Sequence, residues 1–425
     1  VSLRIINARL IDPASGRDAA GDILIDKGRI AALDAEARAA RAERSLDAGG
    51  LVVAPGVIDL AARLREPGEE YKATLESEME AAVAGGVTSL ACPPDTDPPL
   101  DEPGLIDMLR RRARAFARAR LYPVGALTVK LQGETLTEMA ELAESGCVAF
   151  SQANVPLQDT QMLWRALQYA VSFGFPVWLR PAEPWLSRGG VAHDGEVATR
   201  LGLPGVPSFA ETIAICTILE IVRATGARVH LCRLSTEGAV AMVRAAKREG
   251  LPVTCDVSAH HLHLCDVDLG YFDSQCRLDP PLRAQRDRDA LSAGVSDGTI
   301  DCVCSDHTPV DEDAKHQPFA EAAPGATGLE LLLPLMLRWG SLNKRPLAQT
   351  LARITCDPAR ILGVRSGRLE LGAPGDLVVF DPDASDRIVP ESLKSQGKNT
   401  PFLGYELPGR VRATIVAGKV VYERE

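Results

Sequence analysis

Pro55-Gly56-Val57-Ile58-Asp59-Leu60-Ala61-Ala62-Arg63-Leu64-Arg65-Glu66-Pro67-Gly68 is an apolar run that ends in a charged turn containing proline and glycine. It lies just past Val52, where the texture of the chain changes. Before it come short β-prone segments, Leu3–Asn7, Ile23–Ile25 and Arg29–Leu33, with turns at Asp12-Pro13 and Lys27-Gly28. After it, apolar strand-like runs (Val87–Leu90, Arg120–Val124, Val148–Phe150, Val177–Leu179, Val229–Leu231, Val253–Val257, Ile300–Cys304) alternate with helical patterns such as Thr74–Ala84, Gln161–Ser172, Ala210–Ala224 and Thr236–Arg248. Buried parallel strands read as continuous apolar runs, and repeated strand–helix alternation over this length predicts an α/β (β/α)8 barrel of the TIM type. The barrel is expected over residues 53–360. Beyond Asp357-Pro358 short strands return at Leu377–Phe380, Arg412–Val416 and Lys419–Tyr422, so residues 1–52 and 361–425 are expected to form one small β-sandwich built from both termini.

The composition fits a globular domain of this kind: 46% of the 425 residues are hydrophobic and 24% charged. A net charge of −10 disfavours a nucleic-acid partner. The one basic run, Arg110–Arg120, is interleaved with Leu109, Ala113, Phe116 and Leu121 and reads as the solvated face of an amphipathic helix. The ten cysteines are scattered, mostly in apolar runs, without Cys-x-x-Cys spacing. With no signal-peptide pattern and no bilayer-length apolar run, a reducing cytoplasm is the expected compartment and no membrane partner is expected.

Alternating residues on a strand share one face, so Ala61 and Arg63 would point the same way. Alanine has no donor atom, and the guanidinium of Arg63 stays protonated with no lone pair to give. Five later stretches belong with this one: 91–99 (Ala91-Cys92-Pro93-Pro94-Asp95-Thr96-Asp97-Pro98-Pro99), 148–154 (Val148-Ala149-Phe150-Ser151-Gln152-Ala153-Asn154), 177–183 (Val177-Trp178-Leu179-Arg180-Pro181-Ala182-Glu183), 230–236 (His230-Leu231-Cys232-Arg233-Leu234-Ser235-Thr236) and 304–309 (Cys304-Ser305-Asp306-His307-Thr308-Pro309). In this order they resemble the motifs of the dihydroorotases, members of the amidohydrolase superfamily. The resemblance extends through Asp279-Pro280-Pro281-Leu282-Arg283, Gly325-Ala326-Thr327-Gly328-Leu329-Glu330 and the run 395–402, over nearly the whole chain.

What the resemblance implies is a metal site that has been dismantled. Where the family has His-x-His, Ala61 and Arg63 stand; where it has a bridging carboxylate, Gln152 and Ala153; where it has further histidines, Arg180 and Arg233. Of these former ligand positions only Asp306 can still bind metal, and a catalytic zinc normally needs about three protein ligands. Arg65 matches the arginine that contacts the substrate carboxylate. Asp95 and Asp279 stand where substrate-contacting asparagines are usual, so they are expected to repel an anionic substrate and to salt-bridge Arg65 instead. No catalytic residue is expected: Asp306 is read as vestigial, and His307 as a strand-end histidine kept for hydrogen bonding. His260 and His261 read as structural. Asp306 needs a counter-charge, so Arg63, Arg180 or Arg233 is expected to bond it.

The resemblance implies a pseudoenzyme without a cofactor, the non-catalytic chain that associates with the aspartate carbamoyltransferase catalytic chain in a large hetero-oligomer of pyrimidine biosynthesis. The alternative is a cyclic-amide hydrolase of dihydroorotase or hydantoinase type working through Asp306 and His307. That alternative must activate water without a metal, forgoing roughly 12 kcal/mol of deprotonation driving force if the bound-water pKa returns from about 7 to 15.7. A third reading gives the arginine cluster a small anion to bind.

Overall fold

The computed structural model describes residues 2–424. Eight parallel strands run in chain order: β1 (Val57–Asp59), β2 (Val87–Cys92), β3 (Arg120–Ala126), β4 (Ala149–Ser151), β5 (Val177–Leu179), β6 (Val229–Leu231), β7 (Val253–Ser258) and β8 (Cys302–Cys304). Every residue of β1, β2, β4, β5, β6 and β8 is buried. Such strands are apolar because helices cover one face and barrel-interior side chains the other. The helix Glu237–Glu249 illustrates the cover: Thr236 caps its start, Gly250 ends it in the left-handed conformation, and Ala239, Val240, Val243 and Ala246 form its buried stripe.

The seam between β1 and β8 closes beyond the strands themselves. Ala62 and His307 make a parallel bridge, through Arg63 N to His307 O at 2.9 Å and His307 N to Ala61 O at 3.0 Å. Below it the fully buried Asp59 carboxylate accepts from the amide of Ser305 at 2.8 Å and from its hydroxyl at 2.5 Å. The motif that opens the barrel is thus stitched to the motif that ends it.

Both termini contribute to a second, eight-stranded sheet: Ser2–Asp12, Arg17–Asp26, Arg29–Leu33, Arg44–Asp47, Val52–Pro55, Leu377–Arg387, Glu406–Val416 and Lys419–Glu423. Val52–Pro55 joins its halves, pairing parallel with Ser2–Asp12 and antiparallel with Leu377–Arg387. Strand alternation makes this sheet a shared wall. Val53, Leu377 and Val379 pack with Leu3, Ile5 and Ile415 in the sheet's own core, whereas Val52, Ala54, Val378 and Phe380 face the barrel core.

The run Arg110–Arg120 is not one helix. The helix Pro103–Phe116 buries Ile106, Leu109 and Ala113, and it stops where Ala117 turns left-handed; Arg120 already opens β3. The periodicity continued past the true end because three residues of loop preserve the spacing of charges. Arg112 and Arg118 pair with Glu66 and Glu80. Arg120 reaches the terminal sheet, donating to both oxygens of Asp376 at 2.8 and 3.1 Å.

Asp376 also accepts from the Ala417 amide at 2.7 Å and the Ser366 hydroxyl at 3.3 Å. Its side chain is buried while that of Arg120 is 37% exposed. Asp376→Ala is therefore expected to cost about 2–3 kcal/mol in urea unfolding, from lost charge-assisted bonds and stranded donors. Arg120→Ala should cost less, because water reaches its guanidinium; the reverse order would refute this account of the junction.

Candidate functional site

The loops after the barrel strands bring Arg63, Arg180, Arg233 and Asp306 to one end of the barrel. The backbone is left-handed at Arg65 (φ 62°), Ala153 (φ 50°), Arg233 (φ 56°) and Asp306 (φ 48°). Each costs of order 1 kcal/mol for a residue with a β-carbon. The surrounding seam bonds hold the strand ends in this aim, although the side chains they present have no shared metal-binding chemistry.

Those side chains interlock. Arg233 Nη1 donates to Asp306 Oδ1 at 2.9 Å, and Arg63 Nη1 to the same oxygen at 3.3 Å. Arg63 Nε donates to Asp95 Oδ2 at 2.8 Å, and its Nη1 also to the Thr308 hydroxyl at 3.1 Å. Arg180 pairs with Asp279. Asn154 bridges the set: its Oδ1 accepts from Arg233 at 2.5 Å and Arg63 at 3.1 Å, and its Nδ2 donates to Asp279 at 3.4 Å. Three guanidiniums thus face three carboxylates. Burial pushes the Asp95 carboxyl up, but Arg63, with Arg65 and Arg233 behind it, holds it below the usual range. Burial pulls the Arg233 guanidinium down, and Asp306 more than restores it.

Arg65 does not pair with Asp95 or Asp279 as expected. It donates to Glu69 at 2.7 Å and to the Pro309 carbonyl at 2.9 Å. Glu69 sits one helical turn along the same loop and captures it locally, while the two aspartates are taken by the deeper arginines. Two residues that complete the cluster, Asn154 and Thr308, were not singled out from the sequence. A polar residue just past a strand motif was the only available signal.

The donor set does not fit the metal site that the family resemblance implies. Ala61 and Ala153 offer no ligand atom. The Gln152 amide is turned away, donating to Thr128 Oγ1 and the Leu131 carbonyl, each at 2.8 Å. The space left among Ala61, Arg63, Ala153, Arg180 and Arg233 is about 30 Å³, room for a water or two. One further donor group lies deeper: His230, Cys232 and Asp256 keep their ligand atoms within 4.8 Å of one another. These satisfy each other. His230 Nε2 is 2.9 Å from Asp256 Oδ2, its Nδ1 is 2.8 Å from Thr254 Oγ1, and Asp256 Oδ1 accepts from the Arg233 amide at 2.6 Å. Burial, reinforced by Asp256, pushes the Cys232 thiol well up and keeps it protonated.

His307 is fully committed. Its Nε2 lies 2.7 Å from Glu78 Oε2, and its Nδ1 accepts from the Gly328 and Leu329 amides at 3.1 and 3.4 Å. Glu78 is itself held by Ser395 and Gln396. His261 lies against Ser258 and the Pro281 carbonyl. His260 stacks on Phe402 with ring centroids 5.8 Å apart, both its nitrogens unpartnered among the described residues.

Removing the central carboxylate would strand two buried guanidiniums. Asp306→Ala is expected to cost about 3–5 kcal/mol in denaturant unfolding, and a loss under about 1 kcal/mol would sink the keystone role. Burial also drives His260, His261 and His263 down to about 4. A depressed imidazole contributes stability present above its unfolded value of about 6.5, lost as pH falls toward the folded value. The melting temperature should therefore drop between pH 6.5 and 4. His260→Phe should shrink that drop and leave stability at pH 8 nearly unchanged. An unaltered pH profile would count against His260 as a contributor.

A family model described as dihydro-orotase-like matches residues 50–239, and an amidohydrolase family model matches residues 210–422. A dihydroorotase-like protein from Pseudomonas aeruginosa is 43% identical, with all of both chains covered. A protein named dihydroorotase from Geobacter sp. strain M21 is 39% identical over the full length of both. In fold, the chain superposes on an L-hydantoinase (dihydropyrimidinase) from Arthrobacter aurescens with a TM-score of 0.86 at 24% identity, covering 99% of this chain and 96% of that one. The chain belongs to the dihydroorotase-like family of amidohydrolases.

Proposed function

We propose that this chain is a non-catalytic dihydroorotase-like protein, a structural or regulatory subunit of an aspartate carbamoyltransferase assembly in pyrimidine biosynthesis. The observation that carries the non-catalytic part is the interlocked cluster: Arg63, Arg180 and Arg233 occupy former ligand positions and are matched by Asp95, Asp279 and Asp306. A substrate anion would have to displace carboxylates already bonded, and a water at the mouth would meet guanidiniums where a Lewis acid is needed. His307, the one base-capable residue beside Asp306, has both nitrogens engaged away from the cluster. The partner follows from the family resemblance.

The test uses the full chain, co-expressed with an aspartate carbamoyltransferase catalytic chain from the same source. We expect the two to co-elute as one large species, with zinc well below one ion per chain and no dihydroorotase turnover in either direction. The double change Ala61→His and Arg63→His should not restore activity, because Gln152, Arg180 and Arg233 remain. Turnover abolished by chelation and restored by zinc would overturn the non-catalytic reading. Separate elution would overturn the assembly.

A further inference from the structure

Arg180 is the least satisfied member of the cluster. Arg63 makes four side-chain hydrogen bonds, while Arg180 makes one, from Nη2 to Asp279. Its Nε and Nη1 have no partner among the described residues, yet its side chain is only 11% exposed. Burial pulls this guanidinium down, and the attraction of Asp279 does not make up the loss. A guanidinium with two spare donor nitrogens in fixed fork geometry is suited to receive a carboxylate.

The same residue forms one wall of a second cavity of about 200 Å³, set between the loops after β4 and β5 and the helices Thr160–Phe173 and Phe209–Thr225. Leu157, Leu163, Leu179 and Ile218 make its sides mostly apolar. Trp185 stands at the rim, 64% exposed. Of the other polar groups around it, Gln158 and Thr160 are exposed at the outer edge, and Thr217 donates to the Ile213 carbonyl at 3.1 Å. The Gln152 amide points to Thr128 and Leu131, and Glu183 Oε2 caps the short helix Pro184–Ser187 through the Leu186 amide at 2.6 Å. A mostly apolar cleft at the C-terminal face of a barrel, with one convergent charged group, has the form of a small-molecule site.

We propose that this cavity binds a small apolar monocarboxylate, its carboxylate on the free edge of Arg180 and its hydrocarbon part among Leu157, Leu163, Leu179 and Ile218. Glu183 limits the ligand to a single negative charge, since a second would face a carboxylate. The site shares Arg180 with the arginine–carboxylate cluster but uses neither Asp306 nor His307, so binding there can be tested whether or not the chain is catalytic.

The probes are phenylacetate and its neutral isostere phenylacetamide, titrated into the intact protein by calorimetry and ligand-observed NMR. Phenylacetate should bind saturably and at least about tenfold more tightly than the amide, a difference of about 1.4 kcal/mol. Ala214→Phe, which narrows the cavity from a helix position remote from the cluster, should abolish binding of both. Arg180→Gln should bring the two affinities together, with circular dichroism and melting checks that the variants fold. No saturation by phenylacetate up to ~10 mM, equal affinities in the unaltered protein, or binding indifferent to Ala214→Phe would each overturn the site.

Discussion

The centre of this protein is a charge balance. Three guanidiniums are driven into a barrel mouth where water is scarce, and each must meet an anion or unfold its surroundings. Asp306 takes two of them, Asp95 shares one, and Asp279 takes the third. Asn154 ties the pairs together as both acceptor and donor. The charges make sense only jointly. Arg63, Arg180 and Arg233 without Asp95 and Asp279 would leave excess positive charge; the aspartates without the arginines would repel one another. A buried ion pair is weak support for stability against an apolar alternative, so what the cluster secures is a single arrangement of strand ends.

That arrangement depends on a second layer of polar contacts underneath. Asp59 closes the first strand onto the last, through Ser305. His307 stands at the same seam and links it to Glu78 on the first barrel helix, and Glu78 in turn holds the C-terminal run at Ser395 and Gln396. Burial alone would push the Glu78 carboxyl up; the bond from His307 brings it below its ordinary value. His307 is thus a tie between barrel, helix and terminus. The strained backbone at Ala153, Arg233 and Asp306 persists because these ties over-determine it.

The terminal sheet belongs to the same economy of packing. Because Val52–Pro55 and Leu377–Phe380 present alternate residues to two cores, neither the sheet nor the barrel can shift without disturbing the other. Asp376, at the foot of that wall, carries a two-oxygen arginine pairing between them, with Arg120.

Several of these features were readable from the chain alone. Continuous apolar runs between helical periods specify a parallel barrel, because only strands covered on both faces can be apolar throughout; Val177–Leu179 and Val229–Leu231 emerge with the limits that their hydrophobicity implies. That Ala61, Arg63, Arg180 and Arg233 offer a metal no lone pair is a property of residue type and needed no coordinates. Where charge runs continued across an element boundary, as at Arg110–Arg120, periodicity misled, since charge patterning does not register a left-handed residue such as Ala117. Pairing was beyond sequence altogether. Arg65 had Asp95 and Asp279 as plausible partners by charge, but distance gave it Glu69 four residues away. Asn154, Thr308 and the spare donors of Arg180 acquire meaning only when loops from different strands converge. Residue types determined what each position could do; which groups met, and so which charges were balanced and which left open, was decided by the closure of the barrel.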